Sequence, residues 1–304
     1  MKFQLALIPH GTKIDFIGKR WYAFIFSIVI SVLIVLMLLS RGLNLGLDFT
    51  GGIIIEVKSE QKIDLGTLRD YLHEEGYSGA TLQNFGDESV VLIRIQPKQE
   101  GSYNKEVEVL KGFLSSHLGS DIEFRKVDYV GPKVGKELVM NGVYATLLAL
   151  LMMMLYIWLR FDWQFGVGAV IALLHDMLFT LGFYSLTRIE FDLTSIVAIL
   201  TVIGYSINDS VVIFDRIREN IRKYKQMPIS ELINVSINET LSRTVMTVLV
   251  TLIACLALVI FGGEVIFGFS IAMLVGIAFG TYSSIYISAP ILIYSDINKS
   301  ADKV

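Results

Sequence analysis

The chain has 304 residues, 53% hydrophobic and only 18% charged, against roughly 25% charged in ordinary soluble domains. A mean hydropathy of +0.60 excludes a soluble globular domain, and a net charge of −3 is too small to imply a nucleic-acid partner. One cysteine, Cys255, permits no intrachain disulfide and reads as a small apolar packing residue.

From the N-terminus, residues 1–20 are basic, and the first apolar run covers 21–40. It is flanked by Lys19, Arg20 and Arg41 like the start of a signal peptide. Its length and the missing small-x-small cleavage pattern favour a retained anchor. Residues 41–137 then alternate strand and helix signals. A β-branched run at 53–57 follows a Gly-Gly pair, and Asp64 opens a helix through Glu75 with Leu65, Leu68, Tyr71 and Leu72 at helical spacing. Strands are predicted at 81–85 and 90–95 around a Gly86-Asp87 turn, a helix at 103–118 and a last strand at 122–130. The order βαββαβ is that of a ferredoxin-like split fold with one face of the sheet covered.

Five more apolar runs follow, at 138–159, 163–187, 193–214, 244–263 and 265–295, before a tail at 296–304. Each is near or above the ~20 residues that cross a hydrocarbon core. The expected fold is therefore a polytopic α-helical membrane protein with six transmembrane helices and a small α+β ferredoxin-like domain between the first and second. Residues 215–243 are predicted as a loop with an amphipathic helix, since Ile229, Leu232, Ile233, Ile237 and Leu241 recur at helical spacing. That helix has two readings, one on the membrane interface and one packed on the bundle.

Short basic segments fix the expected orientation. Lys2, Lys13, Lys19, Arg20, Arg160, Arg216, Arg218, Arg222, Lys223, Lys225, Arg243, Lys299 and Lys303 fall on one side and only Arg188 on the other. The positive-inside rule then predicts cytoplasmic termini and an exported 41–137 domain, whose own charges count little because long loops translocate regardless of them.

Two spans carry charge. Asp209 interrupts the fourth, with Arg243 at the edge of the fifth, and His175-Asp176 interrupts the third at similar depth. A charge in lipid costs roughly 2.5 to 3.5 kcal/mol on insertion scales, so it normally faces a partner or a water path. A carboxylate beside a guanidinium can alternate between paired and protonated forms as a proton arrives. The same residues also suit a static ion pair locking spans four and five. His175 and Asp176 suit either a supporting proton relay or interhelical hydrogen bonds. Span six repeats Ala272, Gly276, Gly280, Ser284 and Ser288 four apart, a face for close helix packing. Asn208-Asp209-Ser210, Asn234-Val235-Ser236 and Asn238-Glu239-Thr240 match the glycosylation pattern by chance, being in a span or on the expected cytoplasmic side.

Three stretches go beyond hydropathy: Leu45-Gly46-Leu47-Asp48-Phe49-Thr50-Gly51-Gly52; Gly204-Tyr205-Ser206-Ile207-Asn208-Asp209-Ser210 running on to Phe214-Asp215-Arg216-Ile217-Arg218-Glu219-Asn220; and Thr240-Leu241-Ser242-Arg243-Thr244. With the linker Val130-Gly131-Pro132-Lys133-Val134-Gly135, they resemble the SecF family. Its members are accessory subunits of the bacterial Sec export machinery and relatives of the resistance-nodulation-division transporters. The resemblance covers almost the whole chain. It implies a subunit of the bacterial inner membrane that works with SecD beside the SecYEG channel, and less directly with YajC and SecA. Such a subunit uses the proton motive force to draw unfolded polypeptides outward. It further implies that Asp209 and Arg243 are the acid and base of proton conduction, that the proton is the coupling ion, and that no cofactor or metal is needed. A swing of the exported domain is likewise implied, with Gly51, Gly52, Gly131 and Gly135 as its hinges. The sheet face or a groove of that domain would meet the extended substrate, and the span-six stripe would be a seam against SecD.

Other classes fit less well. No Gly-x-Gly-Asp pattern of an intramembrane aspartyl protease is present, and His73-Glu74-Glu75-Gly76-Tyr77 lacks the second histidine of a zinc motif. There is no phosphate loop for ATP hydrolysis, so no enzyme is expected. The rival reading is a half-size resistance-nodulation-division exporter of small molecules or lipids, which would need a partner of similar build. A scaffold that stabilises the channel would need no proton chemistry.

Overall fold

The computed structural model describes residues 9 and 12–297, apart from 61, 78, 86, 99–102, 120, 121 and 296. Gly86 of the expected turn, and Lys2, Lys299 and Lys303 of the orientation argument, lie outside the described residues. The chain divides into two compact units, Leu45–Val143 on one hand and Met1–Asn44 with Tyr144–Val304 on the other.

In the smaller unit a single helical turn, α2 (Leu47–Thr50), leads through Gly51 into β1 (Gly52–Lys58), after helix α1 (Arg20–Arg41) of the larger unit. Then come α3 (Leu65–Glu74), β2 (Thr81–Phe85), β3 (Asp87–Ile95), α4 (Tyr103–Leu118) and β4 (Glu123–Val130). The strands form one antiparallel sheet in the order β2-β3-β1-β4, the split arrangement expected of βαββαβ. Alternation decides the faces. Ile53, Ile55, Val57, Val91, Ile93 and Ile95 point inward and pack with Leu68, Leu72, Leu110 and Leu114 of α3 and α4. The register places Ile54, Glu56, Leu92, Arg94, Lys126 and Asp128 on the opposite face. Asp64 starts α3 by accepting from the backbone N–H groups of Gly66 and Thr67, each at 3.2 Å. Hydrogen bonds from Thr67, its hydroxyl foremost, hold that carboxyl below its ordinary value.

The larger unit is a helical bundle of α1, α6 (Trp163–Thr187), α7 (Leu193–Lys223), α8 (Ile229–Phe261) and α9 (Glu264–Ser283), with the C-terminal part of α5 (Pro132–Arg160). A π-helical turn, Ser284–Ser288, carries the last helix on toward Tyr294. Six helices, α1, α5 and α6 to α9, are long and apolar enough to cross a membrane. Their outer surfaces are apolar: Leu159 is 80% and Phe261 84% exposed, as lipid-facing side chains should be.

Local chemistry sets the helix ends. Asp192 and Ser195 form a reciprocal capping box at the start of α7, at 2.8 and 3.1 Å. α6 ends at Arg188, the one non-glycine residue with positive φ (58°) among the described residues. Its guanidinium donates to the carbonyls of Arg41 and Gly42 at 3.1 and 3.3 Å, and Asn44 donates back to its carbonyl at 2.9 Å, tying the ends of α1 and α6 together.

The region 215–243 differs from the expected loop. α7 runs on to Lys223 and α8 begins at Ile229, so only 224–228 are non-helical. The amphipathic stretch is the first part of α8. Leu232, Ile233, Ile237 and Leu241 are buried against Ile213, Phe214, Ile217 and Ile221 of α7. The apolar stripe is thus used in helix packing and leaves no free face for the membrane interface, which corrects the interfacial reading.

Candidate functional site

Where α6, α7 and the last helix meet, the interior of the bundle is polar. Asp176, 1% exposed, accepts from the hydroxyls of Ser206 on α7 (2.5 Å) and Ser283 on α9 (2.7 Å) through Oδ2. Its other oxygen lies 3.3 Å from Nδ1 of His175. One turn along α7, Ser210 shares a hydrogen bond with Ser284 at 2.9 Å, and the Ser284 hydroxyl also reaches the Ser206 carbonyl at 3.2 Å. Ser206, Ser210, Ser283 and Ser284 are all buried. One carboxylate therefore joins three helices through side chains small enough for close backbone approach. The π-helical turn begins at Ser284, in the middle of this cluster; such single π turns favour functional sites.

Asp209 is buried at 3% exposure in the same stretch of α7, between Ser206 and Ser210. Its Oδ2 finds no hydrogen-bond partner among the described residues. Arg243, exposed on α8, is near enough to act on it electrostatically, but no ion pair joins the two among the described residues. The guanidinium lies instead on a polar cleft of 510 Å³ between α7 and α8, with Asn208, Asp215, Arg216, Glu239 and Thr240. So the structure does not contain the static Asp209–Arg243 pair, and no hydrogen bond among the described residues links Asp176 to Asp209. A buried carboxyl oxygen without a hydrogen-bond partner, one helix away from a cation on a polar cleft, has no hydrogen bond to give up before a proton joins it.

The stripe on span six faces helices of this same chain. A Cβ at Gly276 would stand 2.5 Å from Val202 Cγ2, and one at Gly280 3.0 Å from Ser206 Cβ. That contact, with Ser284 on Ser210, uses the stripe for close helix packing within the chain. In the smaller unit Gly46 precedes α2, Asp48 lies half-buried within it, and Gly131 follows β4. Gly52 has φ +128°, and a Cβ there would be 2.6 Å from the Ile95 carbonyl. One at Gly135 would be 2.9 Å from the Phe49 carbonyl. Close backbone packing accounts for glycine at both positions.

Residues 111–297 match the family described as "Protein export membrane protein SecD/SecF, C-terminal", and residues 37–63 match "SecD/SecF GG Motif". The chain is 49% identical over 290 residues to "Protein translocase subunit SecF" of Rickettsia conorii, covering 95% of this chain and 94% of that one. It is 48% identical over 302 residues to the same subunit of Rickettsia akari, covering 99% and 98%. The chain belongs to the SecD/SecF family. Among solved structures, SecDF of Thermus thermophilus, a translocon-associated membrane protein, superposes with TM-score 0.84 at 38% identity over 93% of this chain. SecDF in its super-membrane-facing form gives TM-score 0.70 at 37% identity over 96%. The chain spans about two fifths of each SecDF chain, 39% and 40%. The GG-motif match covers the end of α1, α2 and β1, and the SecD/SecF C-terminal match contains every residue of the polar cluster.

Sequence reasoning about this SecD/SecF chain missed three groups. Ser206 and Ser210 read only as part of the span-four stretch and Ser284 as a packing residue, with Ser283 unmarked, because serines carry no charge and have neutral hydropathy, so nothing tied them to Asp176. Asn234 and Asn238, read only as chance glycosylation matches, bind the segment before α1. Asn234 Oδ1 accepts from the Phe16 N–H at 2.9 Å and Asn238 Oδ1 from the Ile14 N–H at 2.9 Å. Asn220, 1% exposed, donates to Ser236 at 2.9 Å and to Glu239 at 2.7 Å, and Arg216 reaches the same Glu239 oxygen at 2.7 Å. Asn220 and the Arg216–Glu239 ion pair thus weld α7 to α8.

Proposed function

We propose that the chain works as the SecF-type partner of a SecD-type chain in the bacterial inner membrane, with both termini cytoplasmic. Together they would use the proton motive force to draw unfolded polypeptides outward through SecYEG. In this reading Asp209 is the proton acceptor and Arg243 its cationic counterpart. Asp176, His175 and the serines form a support that fixes the helices around them.

The observation that carries the reading is the contrast within one polar interior. Asp176 is held by two hydroxyls, whereas Asp209 is buried beside it in α7 with a free oxygen. A buried polar atom without a partner costs about 1–3 kcal/mol, so a place in a working cycle is a reason to keep it. Moving one charge across the membrane supplies about 2.3 kcal/mol per 100 mV, enough to bias two arrangements of a helix pair.

The test is export of a secreted protein into sealed vesicles carrying SecYEG, a SecD-type chain and either wild-type or Asp209→Asn protein. A gradient-dependent gain in the wild type that vanishes in the variant, with assembly unchanged, is the expected result. An equal gain in both would overturn the role of Asp209. No gain with the wild type, together with gradient-driven release of small molecules or lipids, would replace the reading with that of a half-size exporter.

A further inference from the structure

At the corner where α5 ends and α6 begins, neighbouring residues of the chain line two clefts of opposite character, Arg160 a basic one and Trp158 and Trp163 an apolar one. The first, 440 Å³, is lined by Arg160, Asp215, Arg218, Glu219, Arg222 and Lys223. Its carboxylates are already engaged. Asp215 Oδ1 is shared by Arg160 at 3.2 Å and Arg218 at 3.4 Å, and Glu219 is held by Arg216 at 2.6 Å from outside the cleft. No carboxylate among the described residues pairs with Arg222 or Lys223. Four cations thus face two committed anions. The guanidiniums of Arg160 and Arg218 are also prepositioned, each 5.2 Å from the centre of the Phe161 ring, and Arg218 is anchored by donating to the Arg160 carbonyl at 3.2 Å. Oriented guanidiniums with spare donors match the oxygens of a phosphate.

The second cleft, 370 Å³, is almost wholly apolar, formed by Met154 and Trp158 of α5 with Trp163, Val167, Val170 and Ile171 of α6. Trp158 and Trp163 bracket Arg160 in the chain, and both are 62% exposed. Tryptophans at that position are typical of the level where headgroups meet hydrocarbon. A basic cleft alone would be a solvated surface, and an apolar groove alone would be ordinary lipid contact. With Arg160 of the one only two and three residues from Trp158 and Trp163 of the other, the pair suits a molecule with an anionic head and a hydrocarbon tail.

We infer that this corner is a binding site for an anionic phospholipid, with its phosphate among Arg160, Arg218, Arg222 and Lys223 and an acyl chain along the Trp158–Trp163 groove. The site shares Asp215 and Glu219 with the Arg243 cleft but no residue with the Asp176 cluster, and does not depend on the proposed proton chemistry. A bound lipid would cross-link the ends of α5, α6 and α7 without using the Asp176 cluster.

The groove's own tryptophans provide the test. The full chain with Trp21→Phe leaves Trp158 and Trp163 as its only tryptophans, and it is reconstituted with brominated phosphatidylglycerol or brominated phosphatidylcholine diluted into unbrominated phosphatidylcholine. Quenching should report a preference for phosphatidylglycerol, with Arg222 and Lys223, the two cations that no carboxylate offsets, worth about fivefold each. In Arg222→Gln/Lys223→Gln, which removes the two unpaired cations and leaves the Phe161 stack, the preference should collapse toward one. Equal quenching by the two lipids would overturn the inference, as would a preference that survives the double variant. Millimolar inorganic phosphate erasing the preference would mark a free-anion site and overturn the lipid assignment. Loss of quenching by both lipids once a SecD-type chain is bound would show the groove covered by protein, overturning it as well.

Discussion

The two units of this chain differ in what they bury besides hydrocarbon. In Leu45–Val143 the centre is hydrocarbon: Ile55, Leu72, Ile93, Leu110 and Leu114 are at 0% exposure, and Glu106 apart, charge is left at the surface. In the helical bundle an apolar cluster around Phe165, Phe214 and Ile217 is joined by a buried polar one of Asp176, Ser206, Ser210, Ser283 and Ser284, while Leu147, Leu159 and Phe261 face outward. One rule produces both results, since each surface matches its solvent and the interior takes what remains. In water apolar burial drives folding. In lipid that drive is absent between helices, and association rests on close packing and interhelical hydrogen bonds. A substitution should therefore change its cost according to the unit it falls in.

The sharpest check is truncation of the hydrocarbon centre. Leu110→Ala should destabilise the smaller unit by about 2–5 kcal/mol, read as a lowered denaturation midpoint and earlier proteolysis within Leu45–Val143. A cost under about 1 kcal/mol there would break the comparison. In the bundle the sensitive position is polar. Asp176→Leu, which leaves the Ser206 and Ser283 hydroxyls without their acceptor, should cost about 1–3 kcal/mol, and Asp176→Asn, which keeps an acceptor oxygen, should cost less. Equal losses in the two variants would show that charge rather than hydrogen bonding holds the cluster together.

A pH effect on stability should be readable in the smaller unit. Tyr77 is pushed up to about 12, first by burial and then by the Glu106 carboxylate, which its hydroxyl approaches at 3.3 Å. The unfolded phenol ionises near 10.0, before the folded one. Stability from this residue is full below that value and declines as pH rises toward about 12. Alkaline denaturation of Tyr77→Phe should be flatter over the same window, and an unchanged slope would remove Tyr77 from the account. The smallest effect belongs to the lipid-facing surface: Leu147→Ala, 59% exposed, should stay within about 0.5 kcal/mol in a bilayer.

Period-two and helical spacing made the sheet and its two helices legible, because a half-buried element writes its burial into its alternation. Hydropathy found the spans for a similar reason. It failed at 215–243, since a hydropathy window ends where lipid ends while α7 and α8 continue, held by Asn220, Arg216 and Glu239. Asp209 and Asp176 stood out as charges in apolar runs, but only coordinates separate the carboxylate held by two serines from the one with a free oxygen. Arg188 was counted as one stray positive charge. Its left-handed backbone and its bonds to Arg41 and Gly42 make it the clasp between α1 and α6.

The length of α8 has a mechanical meaning. Its 33 residues extend about 50 Å, against a hydrocarbon core of about 30 Å. The excess is joined to the end of α7 by Asn220, Arg216 and Glu239, so residues 224–228 cap a stiff helix pair rather than a hanging loop. A small tilt of that pair would be enlarged in proportion to distance by the time it reached 224–228, with no further hinge between.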